Sequence, residues 1–143
     1  MSSDNLILSI GSERFTARLR RDLALHSCDY LLGLLPYKGH VIHARWSGEA
    51  LWAPLADAIP AGRTLPGESA TADPAPGLVL LYAGERSVPE LYMPYGVNRF
   101  ACKVGPLEGN HVLSIEDGLQ RLAEIGSEVL WKGAKEIRIE VSP

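Results

Sequence analysis

Hydrophobic and polar positions alternate at the start of the chain, with Ile7 the one apolar residue out of step. Asn5-Leu6-Ile7-Leu8-Ser9-Ile10 is followed by the turn Gly11-Ser12-Glu13, and then Phe15, Ala17 and Leu19 oppose Arg14, Thr16 and Arg18. A period of two predicts a β-hairpin over this stretch. The period then changes. Cys28, Leu31, Leu32 and Leu35 fall at i, i+3, i+4 and i+7, which predicts a short helix capped by Ser27 and ended by Pro36. Alternation returns over His40–Trp46, with a Ser47-Gly48 turn and a second strand over Glu49–Trp52. It sorts His40, Ile42, Ala44 and Trp46 onto one face, taken as barrel packing, and Val41, His43 and Arg45 onto the other.

From Asp57 to Gly77 no period is visible, and Pro60, Pro66, Pro74 and Pro76 with Gly62 and Gly67 predict a long irregular loop. Leu78–Tyr82 is a continuous apolar run, as expected of a strand buried on both faces. A second irregular stretch, Gly84–Pro89, precedes the apolar segment Leu91–Pro94, read as a loop. Val97–Val104 then alternates, with Phe100, Cys102 and Val104 inward and Arg99 and Lys103 outward. After a short strand over Asn110–Leu113, Ser114–Asp117 resembles a capping box. It opens a helix that Gly126 is expected to stop. Glu128–Trp131 and Glu136–Val141 are expected to form a closing strand pair. Roughly eight to ten short strands, two short helices and no crossover pattern predict one mainly β domain over residues 1–143, a closed barrel with helices capping its ends.

Composition narrows the function classes. Fourteen Lys and Arg against 17 Asp and Glu give a net charge of −3, and the one basic cluster, Arg18-Leu19-Arg20-Arg21, reads as a solvated strand end. No nucleic-acid partner is expected. No apolar run approaches the ~18–20 residues that span a bilayer, so neither a membrane partner nor a location outside the cytoplasm is expected. Cys28 and Cys102 lie in apolar surroundings and read as reduced core residues. His40 and His43 are three apart on a strand and face opposite sides, a poor chelate, so no metal is expected. Neither Gly-x-Ser-x-Gly, a Walker loop nor Gly-x-Gly-x-x-Gly occurs, and no cofactor is expected. Trp46, Trp52, Phe100 and Met93 read as core.

The order of elements, together with Leu107-Glu108-Gly109-Asn110-His111-Val112, resembles the cyclophilins. His43-Ala44-Arg45-Trp46-Ser47-Gly48-Glu49, Gly109-Asn110-His111 and Val129-Leu130-Trp131-Lys132-Gly133-Ala134 are similar to an uncharacterised bacterial family of small cyclophilin-like proteins, the domain of unknown function numbered 3830. The resemblance implies a cyclophilin-like barrel whose site is a groove on the outer face. Within it, His111 takes the place of the cyclophilin motif histidine, and Arg45 that of the catalytic arginine after one inserted residue. Arg99 stands where cyclophilins carry glutamine, Ala101 where they carry the phenylalanine that floors the proline pocket, and Pro106 where they carry tryptophan.

With those apolar walls missing, the expected function is binding of a small anionic ligand without isomerase activity. The ligand would be held by Arg45, Arg99, His111 and His43, with Tyr95 at the rim and Glu49 either orienting Arg45 or standing as an ordinary surface carboxylate. Forked arginine donors suit carboxylate or phosphate. The alternatives are a peptidyl-prolyl isomerase, and a structural homo-oligomer assembled through barrel edges or the Leu91–Pro94 loop.

Overall fold

The computed structural model describes residues 4–60 and 64–143; residues 61–63 of the expected long loop, Gly62 among them, lie outside the described residues. The alternating start forms the hairpin of β1 (Asn5–Ile10) and β2 (Glu13–Leu19), with Leu6 opposite Ala17 and Leu8 opposite Phe15. Its apolar row, from Leu6 to Leu19, is fully buried.

Helix α1 (Leu25–Gly33) follows, then β3 (Tyr37–His43) and β4 (Gly48–Pro54). Strands β5 (Ala70–Thr71), β6 (Leu78–Tyr82) and β7 (Glu90–Asn98) come next, then the small hairpin of β8 (Ala101–Cys102) and β9 (Gly105–Pro106). The chain ends with β10 (Gly109–Ile115), α2 (Leu119–Lys132) and β11 (Lys135–Val141). The strands run round in the order β2-β1-β11-β3-β4-β7-β6-β10, and β10 pairs back onto β2 through Leu113–Leu19 and Ile115–Ala17. The result is a closed eight-stranded antiparallel barrel of the cyclophilin-like type, capped by two helices. Helix α1 packs on β10, and α2 packs on β3, β4 and β7.

Alternation along β4, β6 and β7 divides the apolar side chains between two cores. Leu51, Ala53, Val79, Leu81, Leu91 and Met93 join the barrel interior. Ala50, Leu80, Tyr82 and Tyr92 point the other way and meet Phe100 and Leu107 in a smaller cluster on the outer face. This explains the unbroken run Leu78–Tyr82, which is covered on both sides.

Several expectations are corrected. Strand β3 turns Val41, expected outward, into the core and leaves Ile42, expected inward, only half-buried; it stops at His43, so Trp46 is not core but 55% exposed in the following turn. Ser27 lies inside α1, where the capping position belongs to Ala24 and has no side-chain bond. Val97–Val104 is not one strand: β7 ends at Asn98, Phe100 turns into the outer cluster, and Val104 is exposed. Glu128–Trp131 is helical, because α2 runs through Gly126, where the Tyr95 ring lies so close that a Cβ would overlap it. That helix starts after Gly118 at φ +81°, while Ser114 and Ile115 still belong to β10.

The two surfaces considered for self-assembly also take another form. Leu91, Tyr92, Met93 and Pro94 are buried in β7, and closure gives each of the eight barrel strands a partner on both sides. Among the described residues no helix is long and apolar enough to cross a membrane.

Candidate functional site

Three connections meet over the outer faces of β4 and β7 and enclose a cavity of about 220 Å³. Each is fixed by local bonds. The turn after β3 closes with Ala44 N–H donating to Ala50 O (2.9 Å), and Gly48 at φ +89° leaves no room for a Cβ against the Val97 carbonyl. Ser47 joins this turn to the β8–β9 hairpin, its hydroxyl accepting from Ala101 N–H (3.0 Å) and donating to Ala101 O (3.2 Å). The third connection, Gly84–Pro89, is held where Arg86 N–H donates to the Tyr82 hydroxyl (2.7 Å). Beneath the hairpin Phe100 packs between Tyr82 and Tyr92, with ring centroids 5.6 and 4.5 Å away.

The lining is sorted by depth. Trp46, Trp52, Val88 and Val104 form apolar walls, while Arg45, Arg86 and Lys103 stand exposed at the mouth. None of these three cations has an ion pair among the described residues; Arg86 Nη1 reaches the Pro106 carbonyl at 3.3 Å. The floor holds Ser47, Tyr92 and Glu90, all buried. Tyr92 donates to Asn98 Oδ1 at 2.8 Å. Glu90 is 8% exposed, and burial alone pushes its carboxyl up to about 8. At neutral pH it is therefore mostly protonated.

Residues 6–141 match the sequence profile of a family described as "Protein of unknown function (DUF3830)". The chain belongs to the DUF3830 family. No curated protein matches it. Among solved structures, McbB in complex with tryptophan superposes on this DUF3830 chain with a TM-score of 0.70 at 20% identity, over 96% of this chain and 44% of McbB. The DUF3830 chain thus spans less than half the length of that protein. The solution structure of the hypothetical protein AF2241 from Archaeoglobus fulgidus superposes with a TM-score of 0.59 at 11% identity, over 98% of this chain and 95% of that one. At these identities the likeness is one of fold.

Of the residues expected from the DUF3830 sequence to hold the ligand, Arg45 alone lines this cavity. Arg99 lines a neighbouring depression that also includes Arg86, and it is engaged by Asp73, donating from Nε (2.9 Å) and Nη2 (3.4 Å). His111 lies buried in β10. Its Nε2 is 2.9 Å from the Ser114 hydroxyl, which accepts from Arg20 Nη1 at 2.9 Å. Burial, and then the charge of Arg20, lower the His111 pKa and keep the ring neutral. His43 donates from Nδ1 to Ala44 O (2.8 Å), which leaves Nε2 to accept from the Tyr95 hydroxyl at 2.7 Å. Glu49 accepts from Val97 N–H (2.8 Å) rather than orienting Arg45. The structure therefore sets Arg45, Arg99 and His111 in three different environments, and it pairs His43 with Tyr95.

Sequence reasoning missed Glu90, Arg86 and Lys103 as companions of Arg45. One signal for Glu90 was present: it shares the outward face of β7 with Tyr92 and Pro94, two residues that are themselves buried.

Proposed function

We propose that this domain binds a small anionic molecule in the outer-face cavity, without isomerase activity. The observation that carries this reading is the set of three cations, Arg45, Arg86 and Lys103, standing without counter-charge over apolar and aromatic walls. Guanidinium forks match carboxylate or phosphate, and Trp46 and Trp52 offer flat faces to an apolar or aromatic body. A cavity of about 220 Å³ is smaller than the roughly 300–1,000 Å³ of ordinary drug-sized sites, which favours a compact metabolite. McbB, which shares the fold, was solved with tryptophan, an aromatic carboxylate; that agrees with the reading without carrying it. Against isomerisation stand Ala101 in the lining, where a cyclophilin carries phenylalanine, and a floor broken by the acid Glu90.

Thermal-shift and calorimetric screens of small carboxylates and phosphates test this proposal. Aromatic carboxylates are expected to raise the unfolding midpoint, and Arg45→Ala with Arg86→Ala to weaken the best hit at least tenfold. The absence of any hit, or a hit indifferent to both substitutions, would refute it. A proline-isomerisation assay run alongside should show only the buffer rate, and clear acceleration would restore the isomerase reading.

A further inference from the structure

The buried polar side chains of the described residues are Ser27, Ser47, Glu90, Asn110, His111 and Ser114. Five of them have side-chain hydrogen bonds: Ser27 and Asn110 with each other, His111 with Ser114, and Ser47 with Ala101. Glu90 stands apart. Its side chain makes no hydrogen bond and no ion pair with the described residues, and its carboxyl is not sealed off but reaches the cavity that it lines. A carboxyl at the floor of a cavity with no protein donor beside it has only what enters the cavity to satisfy it. Its backbone is held in β7 by pairing with Pro54 and Tyr82, so the carboxyl is presented from the rigid wall of the barrel.

We propose that Glu90 binds a basic nitrogen of the ligand, so that the ligand is amphoteric: a small amino acid, or a relative of one, with an apolar side chain. This rests on the anion reading above and adds a second group to it. The carboxylate end meets Arg45, Arg86 and Lys103 at the mouth, the apolar body lies against Trp46 and Trp52, and the ammonium donates to Glu90 at the floor. The floor suits an ammonium better than a second anion, because the ionised carboxylate accepts from several N–H groups, whereas the neutral acid offers an anion a single O–H.

Binding then carries a proton signature. In the empty cavity the Glu90 carboxyl is neutral. The titratable and charged groups around it are Tyr92 on its own strand, Tyr82 on β6, Cys102 and Lys103 on the hairpin, and Arg45 and Arg86 on the flanking connections. An entering ammonium brings a positive charge to the floor itself, which Arg45, Arg86 and Lys103 at the mouth do not reach. The O–H bond of Glu90 breaks, its proton leaves to solvent, and the carboxylate pairs with the ammonium. Affinity therefore rises as pH climbs towards 8, by up to tenfold per unit.

Isothermal titration of the full chain at pH 7, in two buffers of different ionisation enthalpy, tests this with phenylalanine, 3-phenylpropionate and 2-phenylethylamine. Phenylalanine should bind at least tenfold more tightly than either analogue and release close to one proton, whereas 3-phenylpropionate should release none. In Glu90→Gln the phenylalanine advantage and the proton release should both vanish, while 3-phenylpropionate keeps its affinity within about twofold and so shows that the variant is folded. If 3-phenylpropionate binds and phenylalanine does no better, or binds without proton release, the amine contact is overturned and the anion reading stands. If neither binds, both fall.

Discussion

Two glutamates, placed on different sides of the barrel, are treated in opposite ways. Glu68, in the long loop, receives the N–H groups of His26 and Ser27, the Ser27 hydroxyl and His26 Nδ1, all at 2.9–3.0 Å, at the first turn of α1. Burial would raise its pKa, but these donors outweigh burial and hold the carboxyl down at about 2. The knot extends to Asn110, whose amide donates to Ser27 Oγ and Pro66 O and accepts from Glu68 N–H, each at 2.9 Å. Glu90, more deeply buried, receives nothing. A carboxylate surrounded by donors is structural and closes a helix end and a loop together. A carboxyl left without donors beside a cavity is the kind of group that the proposed amine contact needs.

The contrast breaks most visibly at Asn110. Asn110→Ala removes three hydrogen bonds at once and strands their partners, so chemical denaturation should show a loss of about 4 kcal/mol and a loosened 64–68 segment by hydrogen exchange. The next largest effect has the opposite sign. Glu90 has a folded pKa raised to about 8, so its unfolded form ionises first as pH rises, and stability falls between roughly pH 4.5 and 8. Glu90→Gln removes that cost and should stabilise the protein by roughly 3 kcal/mol at pH 8 and by almost nothing at pH 4. A variant less stable than the parent at pH 8 would mean that the carboxyl has a partner after all.

For Glu68 the sign reverses again. Its folded pKa is depressed, so its contribution is complete above the unfolded value and is lost as pH falls from about 4.5 through about 2. With its partial exposure discounted, Glu68→Gln should cost about 2 kcal/mol at pH 7 and flatten the acid limb of an unfolding-against-pH curve. The smallest effect on stability belongs to Trp46→Ala. Because Trp46 is 55% exposed, its removal should change stability by no more than about 0.5 kcal/mol while weakening carboxylate binding severalfold. A large stability loss there would make Trp46 a packing residue rather than a wall for a ligand.

The barrel was legible wherever a side-chain period reports burial on one face. The hairpin of β1 and β2 and the doubly buried β6 follow the pattern, and β11 follows it at Ile137 and Ile139 but not at the exposed Val141. Legibility failed where the deciding contact is remote in sequence. Nothing near Gly126 reveals that the Tyr95 ring will lie against it, so a glycine that reads as a helix stop becomes a seat for a neighbouring strand. Nothing near Ser27 reveals that Glu68, 41 residues away, will satisfy the helix start in place of a local cap. The site was half legible. Arg45 was identifiable as an unusual residue beside a turn, but alternation assigns faces only while a strand lasts. It chose the wrong face along β3 itself, where Val41 rather than Ile42 is in the core, and beyond His43, where β3 ends, it misplaced Trp46. Glu90 escaped notice because a single acid before an apolar run looks like an ordinary strand boundary until the opposite face is known to be covered.

The β8–β9 hairpin, described above as one wall of the cavity, pairs only with itself and stands outside the ring of barrel strands. Together with the Gly84–Pro89 connection it carries much of the cavity lining while contributing nothing to barrel closure. Specificity and scaffold are thus written in separate clauses of the same chain. Evolution, or an engineer, can redraft Arg86, Lys103 and Val104 to suit a new ligand and leave the grammar of the barrel intact.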